Sequence, residues 1–186
     1  MKKICFIFFL AFSFSQTNIT TPFGSTGFGI WMTTEQAFKE DINTTSLIFD
    51  LHLPFGLEML FGKSVLSNAD YSFNQFGLAY DVKVFDWGFK VFEKRYDADD
   101  FDFIENYEKQ ETGVEFYRRG RKLNSFFRYS KYNFNNILNP YDEYFSIGGV
   151  GRMTRLYTFG FGIKSPVEKL LHMRYSSLEL TLGTSF

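Results

Sequence analysis

The chain has 186 residues, enough for one sizeable core but not comfortably for two. Its net charge of −1 carries none of the basic excess that nucleic-acid binding needs. Aromatic residues make up 21% of it while mean hydropathy is only −0.17, and beyond Gln16 no run of about 20 apolar residues could form a membrane-crossing helix.

The first segment, Met1 to Gln16, reads as a secretory signal. Lys2 and Lys3 form a charged start, Ile4 to Phe12 an apolar run, and Ser13-Phe14-Ser15 a small-x-small cleavage site. Cleavage after Ser15 divides the chain into a signal over residues 1–15 and a mature domain over 16–186. The single cysteine, Cys5, leaves with the signal, so neither a disulfide framework nor thiol chemistry is expected.

From Thr26 onward, apolar residues alternate with small or polar ones, the period of a strand with one apolar face. The first strand is expected over about Thr26–Thr34, with Phe28, Ile30 and Met32 alternating, before the charged stretch Glu35–Asn43 interrupts it. The second, about Thr45–Leu53, sets Leu47, Phe49, Leu51 and Leu53 against Asp50 and His52. Pro54-Phe55-Gly56 is a tight turn. Leu57, Met59 and Phe61 against Glu58 make the third strand, with a polar loop over Ser64–Ser72. Phe76, Leu78, Tyr80, Val82 and Val84 against Asp81 and Lys83 make the fourth. A turn at Asp86 leads to the fifth, where Trp87, Phe89 and Val91 oppose Gly88 and Lys90.

The longest loop is expected over Arg95–Gln110. Val114 and Phe116 then oppose Glu115 and Tyr117 in the sixth strand, and Arg118-Arg119-Gly120-Arg121 turns into the seventh, where Phe127 and Tyr129 oppose Arg128 and Ser130. Asn133–Asp142 has a loop composition. Phe145 and Ile147 carry a short eighth strand, turned by Gly148-Gly149-Val150-Gly151. Tyr157, Phe159, Phe161 and Ile163 alternate with Thr158, Gly160 and Gly162 in the ninth. Ser165-Pro166-Val167-Glu168 matches a helix start, with Ser165 as the cap. The alternation slips between Tyr175 and Leu178, which predicts a bulge or a late strand start.

The count is ten, or eight if the weaker first and eighth candidates fail. Connections after the odd strands are long and polar, and those after the even strands are tight.

The last stretch, Ser177 to Phe186, places Leu178, Leu180, Leu182, Thr184 and Phe186 on one face and Glu179, Thr181, Gly183 and Ser185 on the other. This stretch, ending in an aromatic residue, resembles the closing strand of bacterial outer-membrane β-barrels. The resemblance implies a porin-like, all-β protein: a closed antiparallel transmembrane β-barrel in a Gram-negative-type cell outer membrane. Short turns would face the periplasm and long loops the exterior. It also implies that Leu178, Leu180, Leu182 and Phe186 are the signal read by the barrel-assembly machinery. The partners are then that machinery and outer-membrane lipids, with any extracellular or periplasmic protein partner unspecified. Trp31, Trp87, Tyr129 and Tyr157 are expected at headgroup level.

By parity the lumen receives Asp50, His52, Glu58, Asp81, Lys83, Lys90, Glu115, Arg128 and Glu179. A selective pore calls for rings of one sign. These signs are mixed, which favours a closed or narrow barrel without enzymatic activity, in a structural, narrow-pore or docking role.

Two alternatives remain open. A soluble lipocalin-like barrel would turn the apolar face inward around a hydrophobic ligand. An outer-leaflet lipid hydrolase, resembling the lipid A deacylases, would draw on His172, Ser176 or Ser177, and Glu179, but the His-x-Ser-Asn order of that family is absent. The omptin proteases work with acids and His at the extracellular rim, whereas His52 falls at the other end. Asp97, Asp99, Asp100 and Asp102 form an acidic loop cluster that could hold an ion or a partner, without the spacing of an EF-hand. No cofactor or resident metal is expected.

Overall fold

A computed structural model of the chain describes residues 27–38, 43–66, 72–98, 107–120, 123–134, 141–154, 157–170 and 172–185. The expected signal segment, Phe186, and Asp99, Asp100 and Asp102 of the acidic cluster lie outside the described residues. Ten strands follow one another: β1 (Gly27–Ala37), β2 (Asn43–His52), β3 (Leu57–Leu66), β4 (Ser72–Val84), β5 (Trp87–Ala98), β6 (Tyr107–Arg118), β7 (Leu123–Phe134), β8 (Glu143–Arg152), β9 (Tyr157–Pro166) and β10 (Ser177–Ser185). Each pairs antiparallel with its chain neighbours, and β10 pairs with β1, so the sheet closes into a ten-stranded barrel. Closure gives every strand two partners and leaves no edge exposed.

Following the register once around the barrel advances the position on β1 by about 12 residues, which is the shear number. With ten strands, that shear tilts them by about 40° and sets a backbone radius of about 10 Å. A tube of that width is filled by side chains reaching in from opposite walls.

The connections segregate by length. Those after β2, β4, β6 and β8 have two to four residues and lie at one end, with both chain termini of the barrel; those after the odd strands have five to ten and lie at the other. The strands run further toward the long-loop end than hydropathy suggests. Glu35 lies within β1, Lys94 and Tyr96 within β5, and Lys109 within β6. At this end the outward positions are also polar (Lys63, Asn74, Glu93, Arg95, Gln110, Lys131), so alternation fades although the hydrogen-bond ladder continues.

Three local expectations are corrected. Gly148-Gly149-Val150-Gly151 is not a turn but the second half of β8, and the chain turns instead around Met153 and Thr154, whose amides donate to the Tyr157 carbonyl at 2.9 and 3.2 Å. These glycines answer a packing need: a Cβ on Gly148 would sit 2.1 Å from the Phe161 carbonyl oxygen. The helical start near Ser165 is a 3-10 turn over Val167–Lys169 preceded by Pro166, and the Ser165 hydroxyl is 2.6 Å from that of Ser176 rather than capping it. A second 3-10 turn, Met173–Tyr175, takes up the slip before β10, which starts late, at Ser177.

Two turns at the short end carry backbone in the left-handed region. Phe55 (φ 67) and Gly56 (φ 85) sit in the β2–β3 turn and Phe85 (φ 56) in the β4–β5 turn. Gly56 cannot be replaced without strain, since a Cβ there would also meet the Asp81 carbonyl oxygen at 2.1 Å.

The polarity of the barrel is the inverse of a soluble core. Phe28, Leu47, Phe49, Leu51, Phe61, Leu78, Tyr80, Phe116, Phe127 and Phe161 are all exposed on the outer wall. On β4 the apolar stripe from Phe76 to Val84 spans about 20 Å along the barrel axis, close to the ~25 Å band of membrane barrels.

Candidate functional site

Strand parity sends alternate residues inward, and the inward set is charged. Asp50, His52, Glu58, Asp81, Lys90, Glu115, Arg128 and Glu179 are all buried within the tube; Lys83 reaches its short-turn mouth and remains exposed. Their placement resolves into three levels.

Nearest the short turns, Lys90 Nζ lies 2.7 Å from Glu58 Oε2, with both side chains essentially sealed from solvent. Asp50 Oδ2 accepts from the Trp31 indole N–H at 2.7 Å and lies 3.1 Å from His52 Nε2. Asp81 accepts the Tyr117 hydroxyl at 2.8 Å and pairs with Lys83 at 3.0 Å. Trp31 is therefore a lumen residue, not a headgroup anchor. It shares parity with Gly29 and Thr33, and the glycines opposite make space for its ring: a Cβ on Gly183 would lie 2.0 Å from Trp31 Cε3.

At mid-height, Arg128 binds Glu115 at 2.9 Å and approaches Glu179 at 3.9 Å, its guanidinium lying over the Phe126 ring at 5.1 Å. One cation thus bridges two carboxylates across the middle of the tube, a buried arrangement that is costly to break from either side.

Toward the long loops, Glu111 accepts from Lys94 at 3.3 Å and from the Tyr96 hydroxyl at 2.8 Å. Glu35 holds Lys164 at 3.0 Å and the Ser177 hydroxyl at 2.7 Å. Lys109 and Lys164 both lie over the Tyr132 ring, at 4.3 and 5.1 Å. Between these side chains is a polar cavity of about 90 Å³, which Arg128 and Glu179 close from below. That volume suits a few waters rather than a continuous channel.

Sequence reasoning missed most of this upper level. Glu35, Tyr96 and Lys109 fall in stretches expected to interrupt or connect strands, and Lys94, Tyr132 and Lys164 carry no expectation. Extending the parity of Arg128 to Tyr132 and of Gly162 to Lys164 would have found the last two.

The enzymatic candidates are not brought together. The Ser176 hydroxyl donates to the His172 backbone carbonyl at 3.2 Å and meets Ser165, while Ser177 is held by Glu35. Glu179 lies deeper, on Arg128. The partners of these hydroxyls are the Ser165 hydroxyl, a backbone carbonyl and the Glu35 carboxylate, and not the His172 imidazole that the deacylase-like reading calls on as base. Asp97 is exposed at the end of β5. The ligand atoms of Asp50, His52 and Glu58 lie within 4.8 Å of one another. A divalent ion there would have to displace the Lys90 ammonium that already compensates Glu58. Leu178, Leu180 and Leu182 lie on the outer face of β10, half-buried against their neighbours.

No protein-family model matches the chain, and no curated protein matches it in sequence.

Proposed function

We propose that the protein is an integral outer-membrane β-barrel whose lumen is closed by its own ion pairs, and that it acts without catalysis, as a structural or surface-docking element. The observation that carries this reading is the inverted polarity of a closed barrel. Phenylalanine, leucine and valine cover the outside, while lysine, arginine and carboxylates pair within. In water that outer wall is a large exposed apolar surface, which soluble monomers avoid. In lipid it is solvated, and closure leaves no strand edge without hydrogen-bond partners.

A soluble ligand carrier needs its apolar lining inside, and here the residues that would form it point outward. The mixed, mutually paired charges also argue against a selective pore, which needs a ring of uncompensated sign. The loop asymmetry supports an orientation with the short turns in the periplasm and the long loops outside.

The test is refolding of residues 16–186 in detergent and in plain buffer, read by circular dichroism and by semi-native gel mobility with and without heating. The expected outcome is a β-signal and a heat-dependent gel shift only with detergent. A folded, monodisperse protein in plain buffer would overturn the membrane reading and favour a soluble barrel.

A further inference from the structure

The short-turn end is basic. Among the described residues there, Lys83, Arg118, Arg119 and Arg152 stand against Asp86 as the exposed acid. In the sequence, by contrast, the β5–β6 connection contains Asp99, Asp100, Asp102 and Glu105.

On the outer wall of the basic end, two outward side chains are register partners, Trp87 on β5 and Arg118 on β6. The Arg118 guanidinium lies over the Trp87 ring at 5.6 Å, and both side chains are exposed. Immediately above them Phe89 and Phe116 pack ring against ring at 4.8 Å as part of the apolar belt. The Arg119 amide donates to the Asp86 carbonyl at 2.6 Å, fastening the β6–β7 connection to the β4–β5 turn. At the tip of that turn Phe85 is 94% exposed. An arginine facing outward at the lower edge of an apolar belt, stacked on an indole, is placed where a lipid's acyl chains end and its phosphate begins.

We propose that Arg118 and Trp87 form a binding site for the phosphate headgroup of an anionic phospholipid. The proposal rests on the membrane reading above and adds a ligand to it. The guanidinium fork matches two phosphate oxygens, a geometry that an ammonium cannot reproduce. The indole keeps its apolar body against the acyl chains and its polar edge in the headgroup layer. A zwitterionic headgroup brings its own cation into the same space. An anionic one does not, which corresponds to a preference of about five-fold for the one arginine engaged.

The two tryptophans make the test direct, because Trp31 is sealed in the lumen and Trp87 faces outward. The mature barrel is folded into vesicles of equal phosphatidylcholine and phosphatidylglycerol, with bromine near the ester end of the acyl chains of one lipid or the other. Trp87→Phe supplies the Trp31 background. The expected result is clearly stronger quenching when phosphatidylglycerol carries the bromine, and equal quenching in the two arms for Arg118→Gln at unchanged heat-modifiable mobility. Equal quenching in the unsubstituted protein overturns the site, as does a preference that survives the substitution. If neither brominated lipid quenches Trp87, the barrel is not in the bilayer, and the membrane reading falls with the site.

Discussion

Removing the Lys90 ammonium while keeping Glu58 tests whether the lumen is a dry, paired interior. The two charged groups are 2.7 Å apart, with side chains 0% and 1% exposed. At an effective dielectric of about 20 their attraction is about 6 kcal/mol, set against the desolvation of both ions. Lys90→Met keeps much of the volume but strands a buried carboxylate whose other oxygen, Oε1, has no hydrogen-bond partner among the described residues. The expected loss is about 3–5 kcal/mol of unfolding free energy. Glu58→Leu combined with Lys90→Met removes both charges and should recover most of that loss, because an apolar pair of similar volume carries no desolvation cost. The assay is urea unfolding of the barrel in vesicles or detergent, followed by tryptophan emission, since Trp31 lies in the same layer on Asp50. A cost below about 1 kcal/mol for Lys90→Met, or no recovery in the double variant, would refute the reasoning. The first result would mean that water reaches Glu58 and compensates it, and the second that the loss comes from packing and not from a stranded charge.

Three further outcomes follow from the same geometry. In planar bilayers the unsubstituted barrel should pass no steady current, while Arg128→Ala with Glu115→Ala removes the mid-height bridge and should open a measurable one; steady current through both proteins alike would show that the bridge does not close the lumen. Gly183→Ala should cost about 1–3 kcal/mol by overpacking and shift Trp31 emission as the indole leaves Asp50; an unchanged emission spectrum would show that the ring is not confined there. His172→Ala and Ser176→Ala should leave acyl release from outer-leaflet lipid at the background seen without protein, and Ser176→Ala should cost about 1 kcal/mol of stability through its lost hydrogen bonds. Acyl release by the unsubstituted protein that either variant abolishes would make the protein a hydrolase.

Much of the barrel was legible in the sequence because the strand period converts directly into an inside and an outside. Leu47, Phe49 and Leu51 could share a face only if Asp50 and His52 shared the other. Tight turns at Pro54-Phe55-Gly56 and Asp86, alternating with long polar connections, indicate hairpins that all turn short at one end. Parity also carried more than was taken from it. Trp31 stood opposite Phe28, Ile30 and Met32, which assigned it to the lumen, yet the preference of indoles for membrane interfaces was allowed to outweigh its position. Gly148-Gly149-Val150-Gly151 has the composition of a turn and was read as one. In the barrel those glycines admit the neighbouring backbone of β9 and the ring of Phe126.

The sequence by itself determined which residues face in, which face out, and that the inward charges are mixed in sign, since each depends only on alternation along one strand. The tertiary structure decided which charges meet. Glu58 and Lys90 are 32 residues apart, and Glu35 and Lys164 are 129 apart. Neither pair follows from adjacent register, because Glu58 stands beside Ala79 and Lys90 beside Asp81. Their meeting depends on the shear, which sets the relative heights of strands that are not neighbours, and on closure, which brings walls distant in sequence within one side-chain length across a narrow tube. No strand carries that information alone: for Glu58 and Lys90 it comes from the two registers through β4, and for Glu35 and Lys164 it exists only once β10 has paired with β1.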